Sequence, residues 1–483
     1  MRTLIVLIFF LWTTELLAQS NAPISAIDWL SQPGLAPLSE DNLIKNDPSI
    51  GAILDEVTVI ELDSSGSKSY GLIPAKISGI PQNFWTDIDP NTLKQIIGSL
   101  AKSGLPATND LLLRALLAET IGGEAVLSAR VQALIDRGAV HAAYSLLSQS
   151  PVNNLESFSL LSEASLLTDN VEQMCRQLNS ARHLSNDEGL QVYCHARAGS
   201  WDTAVLNYFT LNTLGAFTPT TSALLAADLD PEMASHLVLL PVDAAKLTAL
   251  EFKLRASVGQ PVSTRTLPLK FAPSDLTVSH SWQQQIKAAE RLSALGSLPA
   301  IQLLQKYKLA KSSESSLVWD RIVAVQELDL ALADPIIDSS EELLIFWELM
   351  KDRKLLFAFA RAWAEKLEKF DKASHKDEYL FQMQVLSRAN AFEFKSTMAR
   401  LRSYNPKVLT MTYERIMFLL DQNIIEKIPF QSANVLRGMR LISEALDGNE
   451  GAILEAISLF QSMGLTPLAK QLAMEFIILG PER

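Results

Sequence analysis

"GAVHAAYSLL", residues 138–147, and "GSWDTAVLNYF", residues 199–209, open alike: a glycine, four further residues, an alanine, then an apolar helical tail. The two glycines stand 61 positions apart, twice about 30. Midway, "TDNVEQMCRQL" from Thr168 carries the same tail without the glycine, and "GLTPLAKQLA" from Gly464 repeats the opening near the end of the chain. A period near 30 residues whose unit is a pair of helices predicts an α-solenoid, because each pair buries its apolar face only against the next. A generic helix bundle is the alternative.

Outward from these units the apolar period stays helical. In "DPNTLKQIIGSLAKSG", Asp89 is placed as an N-cap and Pro90 in the first turn, with Leu93, Ile96, Ile97 and Leu100 on one stripe. "LPATNDLLLRALLAET" and "AVLSARVQALIDRG" continue in the same manner, so residues 89–255 read as a first helical-repeat block. Residues 256–282 contain three prolines, many Ser and Thr, and no 3.6 period, which predicts a linker or long extended segment. A second helical block, 283–483, follows. Within it Leu356, Phe359, Trp363, Leu367 and Phe370 form one face, expected to be core. Residues 21–88 differ. Their first part is rich in turn formers, and "VTVIELDSSGSKSYGLIPAKI", 57–77, has β-branched runs on both sides of a Ser/Gly turn, the pattern of a β-hairpin. The expected fold class is therefore all-α, an α-α superhelix in two blocks with a small N-terminal β-hairpin.

Gly199, Trp201 and Ala204, with Tyr208 four residues on, resemble the glycine–aromatic–alanine pattern that opens the second helix of a tetratricopeptide (TPR) repeat. The preceding helix, "DEGLQVYCHARA", departs from that pattern: it lacks the Trp and the Leu-Gly pair, and Val192 stands where a small residue is usual. The resemblance covers about one third of the chain, in the layout of an exported helical-repeat protein of Gram-negative bacteria. It implies a TPR-like stack and names no ligand.

The N-terminus bears on compartment. Arg2 precedes an uninterrupted apolar run from Leu4 to Trp12, too short to span a membrane, and Ala18–Gln19–Ser20 fits a small-x-small cleavage site. Residues 1–20 are therefore expected to be a signal peptide and the mature chain to be soluble and periplasmic, with no stable membrane insertion. Net charge is −12, and Arg2 and Glu15 would leave together. An acidic chain without a basic tract argues against nucleic acid and against anionic membrane surfaces.

Compartment sharpens the reading of "CRQLNSARHLSNDEGLQVYCH", 175–195, which holds the only two cysteines and two of six histidines. "SNDE", 185–188, reads as a capping box, so one helix should end near His183 and another begin near Asn186. Cys175 and Cys194 then lie about two turns either side of the bend, side by side in an antiparallel helical hairpin. A disulfide is expected, worth roughly 3 kcal/mol in the chain-entropy model. Zinc fits the spacing poorly. His183 stands about 12 Å along a helix axis from Cys175, against metal bonds of about 2.0–2.3 Å. Cys194 and His195 point about 100° apart on a helix, and a Cys–His nucleophile pair has no evident orienting partner.

Little else suggests chemistry. His141, His183, His195, His236, His280 and His375 form no metal-ligand pair on one helical face. "GSKS" at 66–69 resembles the end of a phosphate loop but lacks its first glycine, Glu61 standing there. Exported superhelices can precede lytic transglycosylase domains, whose motif resembles "ES"; Glu156 and Ser157 supply that pair with no "GLMQ"-like run downstream, and an acid in a first helical turn also complements the helix dipole. The expected function is that of a non-catalytic scaffold or adaptor binding protein partners in the cell envelope, with no cofactor or metal and with a glycan as a second ligand class. The alternative is an enzyme or accessory factor acting on peptidoglycan.

Overall fold

The computed structural model describes residues 69–100, 104–234, 237, 241–277, 280–311, 317–335, 339–370, 377–404, 410–422 and 427–480. The fold is built on left-handed turns. Gly138, Gly199 and Gly464 stand at φ 77°, 79° and 80°, a region where a side chain is penalised and glycine is not. Each ends a helix in the same way. The next backbone N–H reaches back five residues: Ala139 to Leu134 at 2.8 Å, Ser200 to His195 at 3.0 Å, Leu465 to Phe460 at 2.9 Å, the 6→1 bond of a Schellman cap. In the glycine-less unit Asp169 takes the position, at φ 61°, and Asn170 donates to Ser165 at 3.0 Å. The following helix begins two residues after each turn. Three residues further on, Ala143, Met174, Ala204 and Ala469 are all buried.

Leaving aside three four-residue turns, the elements in order are β1 (Ser69–Tyr70), α1 (Pro90–Leu100), α2 (Pro106–Leu117), β2 (Thr120–Ile121), α3 (Gly123–Asp136), α4 (Val140–Ser148), α5 (Leu155–Thr168), α6 (Val171–Ser180), α7 (Glu188–Arg197), α8 (Trp201–Thr213), α9 (Pro219–Leu229) and α10 (Ala249–Ser257). Then come α11 (Trp282–Ser293), α12 (Ala300–Leu309), α13 (Leu317–Ala331), α14 (Ser340–Met350), α15 (Leu356–Ala362), α16 (Glu378–Ser387), α17 (Phe394–Tyr404), α18 (Thr410–Asp421), α19 (Ser432–Leu446), α20 (Glu450–Ser462) and α21 (Thr466–Leu479). Neighbours in sequence pack on one another through most of this run, and the last helices also return to the first: α21 lies on α2 and α19 on α1. The fold is all-α with one two-stranded sheet. No helix among the described residues is long and apolar enough to cross a membrane.

The sheet pairs differently from the local hairpin expected at 57–77. Ser69 faces Ile121 and Tyr70 faces Thr120, antiparallel, so the partner comes from the turn between α2 and α3. Residues 57–68 lie outside the described residues, as do the expected signal peptide at 1–20 and the rest of 21–68. Arg130 explains the distant pairing. Fully buried on α3, it donates to the carbonyls of Leu116, Ala118 and Tyr70 and to Thr120 Oγ1, all at 2.6–3.0 Å. It satisfies the carbonyls that the end of α2 leaves open, and burial pushes its guanidinium down to about 9.

Two apolar cores result, divided by packing rather than by chain order. One gathers residues from Ile73 to Phe271 and again from Phe381 to Ile477; the other runs from Ala272 to Leu386. In the second, Leu356, Phe359, Trp363, Leu367 and Phe370 are all at most 3% exposed. They follow a helical break at Lys354, which stands at φ 58°, and four of them lie on or beside the helical pieces Leu356–Ala362 and Ala364–Leu367. Tyr307 and Arg321 both donate to Glu290 Oε1, at 2.6 and 2.7 Å, which satisfies a buried carboxylate. The segment expected as a linker, 256–282, is packed. Its short 3-10 helices Thr264–Thr266 and Leu269–Leu276 bury Leu267, Phe271 and Ala272, and Phe271 sits 4.8 Å from the Phe252 ring. Isolated 3-10 turns carry no 3.6 period, which is why the sequence there looks extended.

Candidate functional site

The cysteine pair is a staple. Cys175 on α6 and Cys194 on α7 are disulfide-bonded, with Cα atoms 4.9 Å apart, and both are buried. The bend between them is tighter than a single capping box. A 3-10 turn, Arg182–Leu184, follows α6. Ser185 Oγ then accepts from Asp187 N, and Asp187, not Ser185, caps α7 by accepting from Leu190 N at 3.0 Å. His183 is exposed on that turn. His195 Nε2 lies 2.8 Å from Arg182 Nη2. A guanidinium only donates, so this nitrogen accepts and the ring is neutral with its proton on Nδ1. Burial, then the charge of Arg182, lowers the His195 pKa and keeps it so. Among the described residues no group of three or more His, Cys, Asp or Glu is placed to hold a metal ion; His236 and His375 lie outside them.

Glu156 occupies the first turn of α5, where Asn154 caps the helix through Ser157 N. Its carboxylate is exposed and paired with Lys94 at 2.6 Å. An acid that protonates a glycosidic oxygen needs an apolar, enclosed setting, and this one faces solvent.

Two surfaces stand apart from the rest. The first is the outer side of α8. Within it only Ala204 and Tyr208 are buried, and Asp202 is its one charged residue. Leu206 and Phe209 are 67% and 63% exposed, Trp201 half so, and Leu214 just past the helix is exposed too. At about 100° per residue, Trp201, Val205, Phe209 and Leu206 span roughly 140° of the helix, as wide as the stripe that normally faces a core. Trp201 is anchored by its Nε1, which donates to Leu229 O at 3.3 Å; the Leu206 and Phe209 side chains project from a helix whose inner side packs on α7 and α9.

The second is a cavity of about 270 Å³ where the start of α2 meets the ends of α11 and α21 and the start of α15. Leu105, Phe357 and Phe476 line it with apolar surface, and Asn109 and Lys354 with polar groups. The junction is held on every side. Glu475 Oε2 on α21 accepts from Ala107 N at 3.0 Å, while Gln471 donates to its Oε1. Arg361 pairs with Asp110 at 2.8 Å. Arg137 Nη2 donates to Asn109 Oδ1 and to Leu295 O, both at 3.0 Å. Burial raises the Glu475 pKa to about 7, opposed by the Ala107 and Gln471 hydrogen bonds. None of these residues stands out in sequence, because the cavity is assembled from segments hundreds of positions apart.

Compared with known protein families, curated proteins and solved structures, the chain matches none. What can be said of its class rests on the chain itself: an all-α, disulfide-stapled stack of helices with no membrane-spanning helix among its described residues.

Proposed function

We propose that this chain is a non-catalytic, TPR-like scaffold or adaptor that binds a protein partner in the cell envelope, after export to the periplasm. The observation that carries the reading is the α8 face, a wide apolar stripe with a single charge, on which Leu206 and Phe209 are more than 60% exposed. Stripes of this kind mark protein interfaces, whereas scattered exposed apolar residues do not. The disulfide supports an oxidising compartment. The exposed setting of Glu156, paired with Lys94, supports this reading over a peptidoglycan-cleaving one.

The test is photo-crosslinking in living cells from a reactive residue placed at Phe209, with the exposed position Glu172 as control. A discrete protein adduct from position 209 and none from 172 is the expected result. Equal labelling from both, or none from either, would sink the proposal. Incubation of the purified chain with cell-wall sacculi should release no soluble fragments; sustained release would favour the enzyme reading instead.

A further inference from the structure

The cavity at the closure of the stack has more to say than its size. It is equal to roughly nine water molecules at the liquid's share of about 30 Å³ each, enough for a compact organic molecule and too much for a packing defect. Its polar groups are unbalanced. Because Arg137 can only donate, the Asn109 amide is fixed with its oxygen toward the guanidinium; its Nδ2 then has no acceptor among the described residues. Ser293 is 8% exposed, and its Oγ is buried without a hydrogen-bond partner. That hydroxyl lies behind the cavity wall and not in it, so the Asn109 amide is the donor that faces the interior. Lys354 adds positive charge at the rim, while the one carboxylate among the described lining residues, Asp110, is paired with Arg361. Of the helix C-terminal carbonyls nearby, Phe476 O is taken by Gly480 N, Leu292 O by Ser297 N, and Leu295 O by Arg137.

We infer that this cavity is a binding site for a small amphipathic carboxylate: the anionic head meets Asn109 Nδ2 and the Lys354 ammonium, and the apolar body lies against Leu105, Phe357 and Phe476. The site is separate from the α8 face and does not depend on the protein-binding reading. Its walls come from both ends of the chain and from both cores, so an occupant ties α2, α15 and α21 together. Binding to the folded form alone then stabilises it by mass action.

The test uses the purified full chain and three probes of matched body: octanoate, octanamide and octylamine. Calorimetric titration should give saturable one-to-one binding of octanoate, with octanamide about tenfold weaker and octylamine absent, and octanoate should raise the melting temperature. Ala358→Phe fills the cavity and should abolish octanoate binding. Since a buried substitution can disturb folding, Lys354→Met at the exposed rim is the companion: it should leave the far-ultraviolet spectrum and melting temperature unchanged and weaken octanoate about tenfold. The inference is overturned if octanoate shows no saturable binding, if octylamine binds as tightly, or if Lys354→Met binds octanoate like the parent.

Discussion

Asp169 holds, at φ 61°, the place in its turn that Gly199 holds at φ 79° thirty residues later. Both end a helix, both are followed by the backbone hydrogen bond that reaches five residues back, and both launch the next helix two positions on. Aspartate tolerates this conformation better than most residues but still at a cost. Asp169→Gly should therefore stabilise the fold by about 0.5–1 kcal/mol, even though the exposed pairing of Asp169 with Lys253 is lost. Chemical denaturation would read the change. A destabilisation would mean that the ion pair, not the backbone, governs this turn.

The two glycines that look equivalent in sequence should respond differently to alanine. A Cβ on Gly199 meets nothing within 4 Å, so Gly199→Ala should cost only the left-handed penalty, about 1–2 kcal/mol. A Cβ on Gly138 would stand 2.5 Å from Leu292 Cδ2 and 3.1 Å from Leu269 O, adding overpacking against the second core. Gly138→Ala should cost about 3 kcal/mol or more. Equal losses for the two variants would contradict the close approach of the Gly138 turn to Leu292 on α11.

Removing the staple should matter at equilibrium. Cys175→Ala with Cys194→Ala is expected to lose about 3 kcal/mol of unfolding free energy and to leave the α8 face intact, because α7 and α8 pack on each other independently of the bridge. Non-reducing peptide mapping of protein purified without reductant should recover the two cysteines in one linked pair; two free thiols would refute the bridge.

Glu475 predicts a pH dependence. Its pKa is about 7 in the fold against an ordinary carboxylate value near 4.5 when unfolded. A raised acid contributes fully below the unfolded value and loses that contribution as pH rises through the folded one. Wild-type stability relative to Glu475→Gln should fall by about 3 kcal/mol between roughly pH 5 and pH 9. A pH-independent difference between the two proteins would show that the junction of α21 with α2 is solvated.

What the sequence discloses and what it hides divide along the range of the interaction. The turn glycines, the cysteine hairpin, the Asp89 cap and the buried stripe from Leu356 to Phe370 are local, and each is legible from spacing. Asp89 Oδ2 does accept from Asn91 N and Thr92 N, both at 3.0 Å. The pairing of Ser69–Tyr70 with Thr120–Ile121 is hidden, because the deciding contact is Arg130, whose partners are backbone carbonyls that any residue could supply. The return of α21 to α2 is hidden for the same reason: Glu475 finds a backbone N–H 368 positions away. The start of α7 shifts because Ser185 turns its hydroxyl to Asp187 N instead of capping a helix. The role of α8 is half visible. Its glycine–aromatic–alanine pattern places Ala204 and Tyr208 in the core, while periodicity alone does not tell that Leu206 and Phe209 face outward.

The exposed stripe of α8 is where the proposed function stands or falls. The direct measurement is the yield of the partner adduct from a photo-reactive residue at position 209, compared between the parent chain and Leu206→Glu. A charge placed within a desolvated apolar contact should cut the yield about tenfold or more while the melting temperature stays unchanged, since the Leu206 side chain is 67% exposed. An undiminished adduct in the Leu206→Glu chain would contradict the assignment of this face as the binding surface.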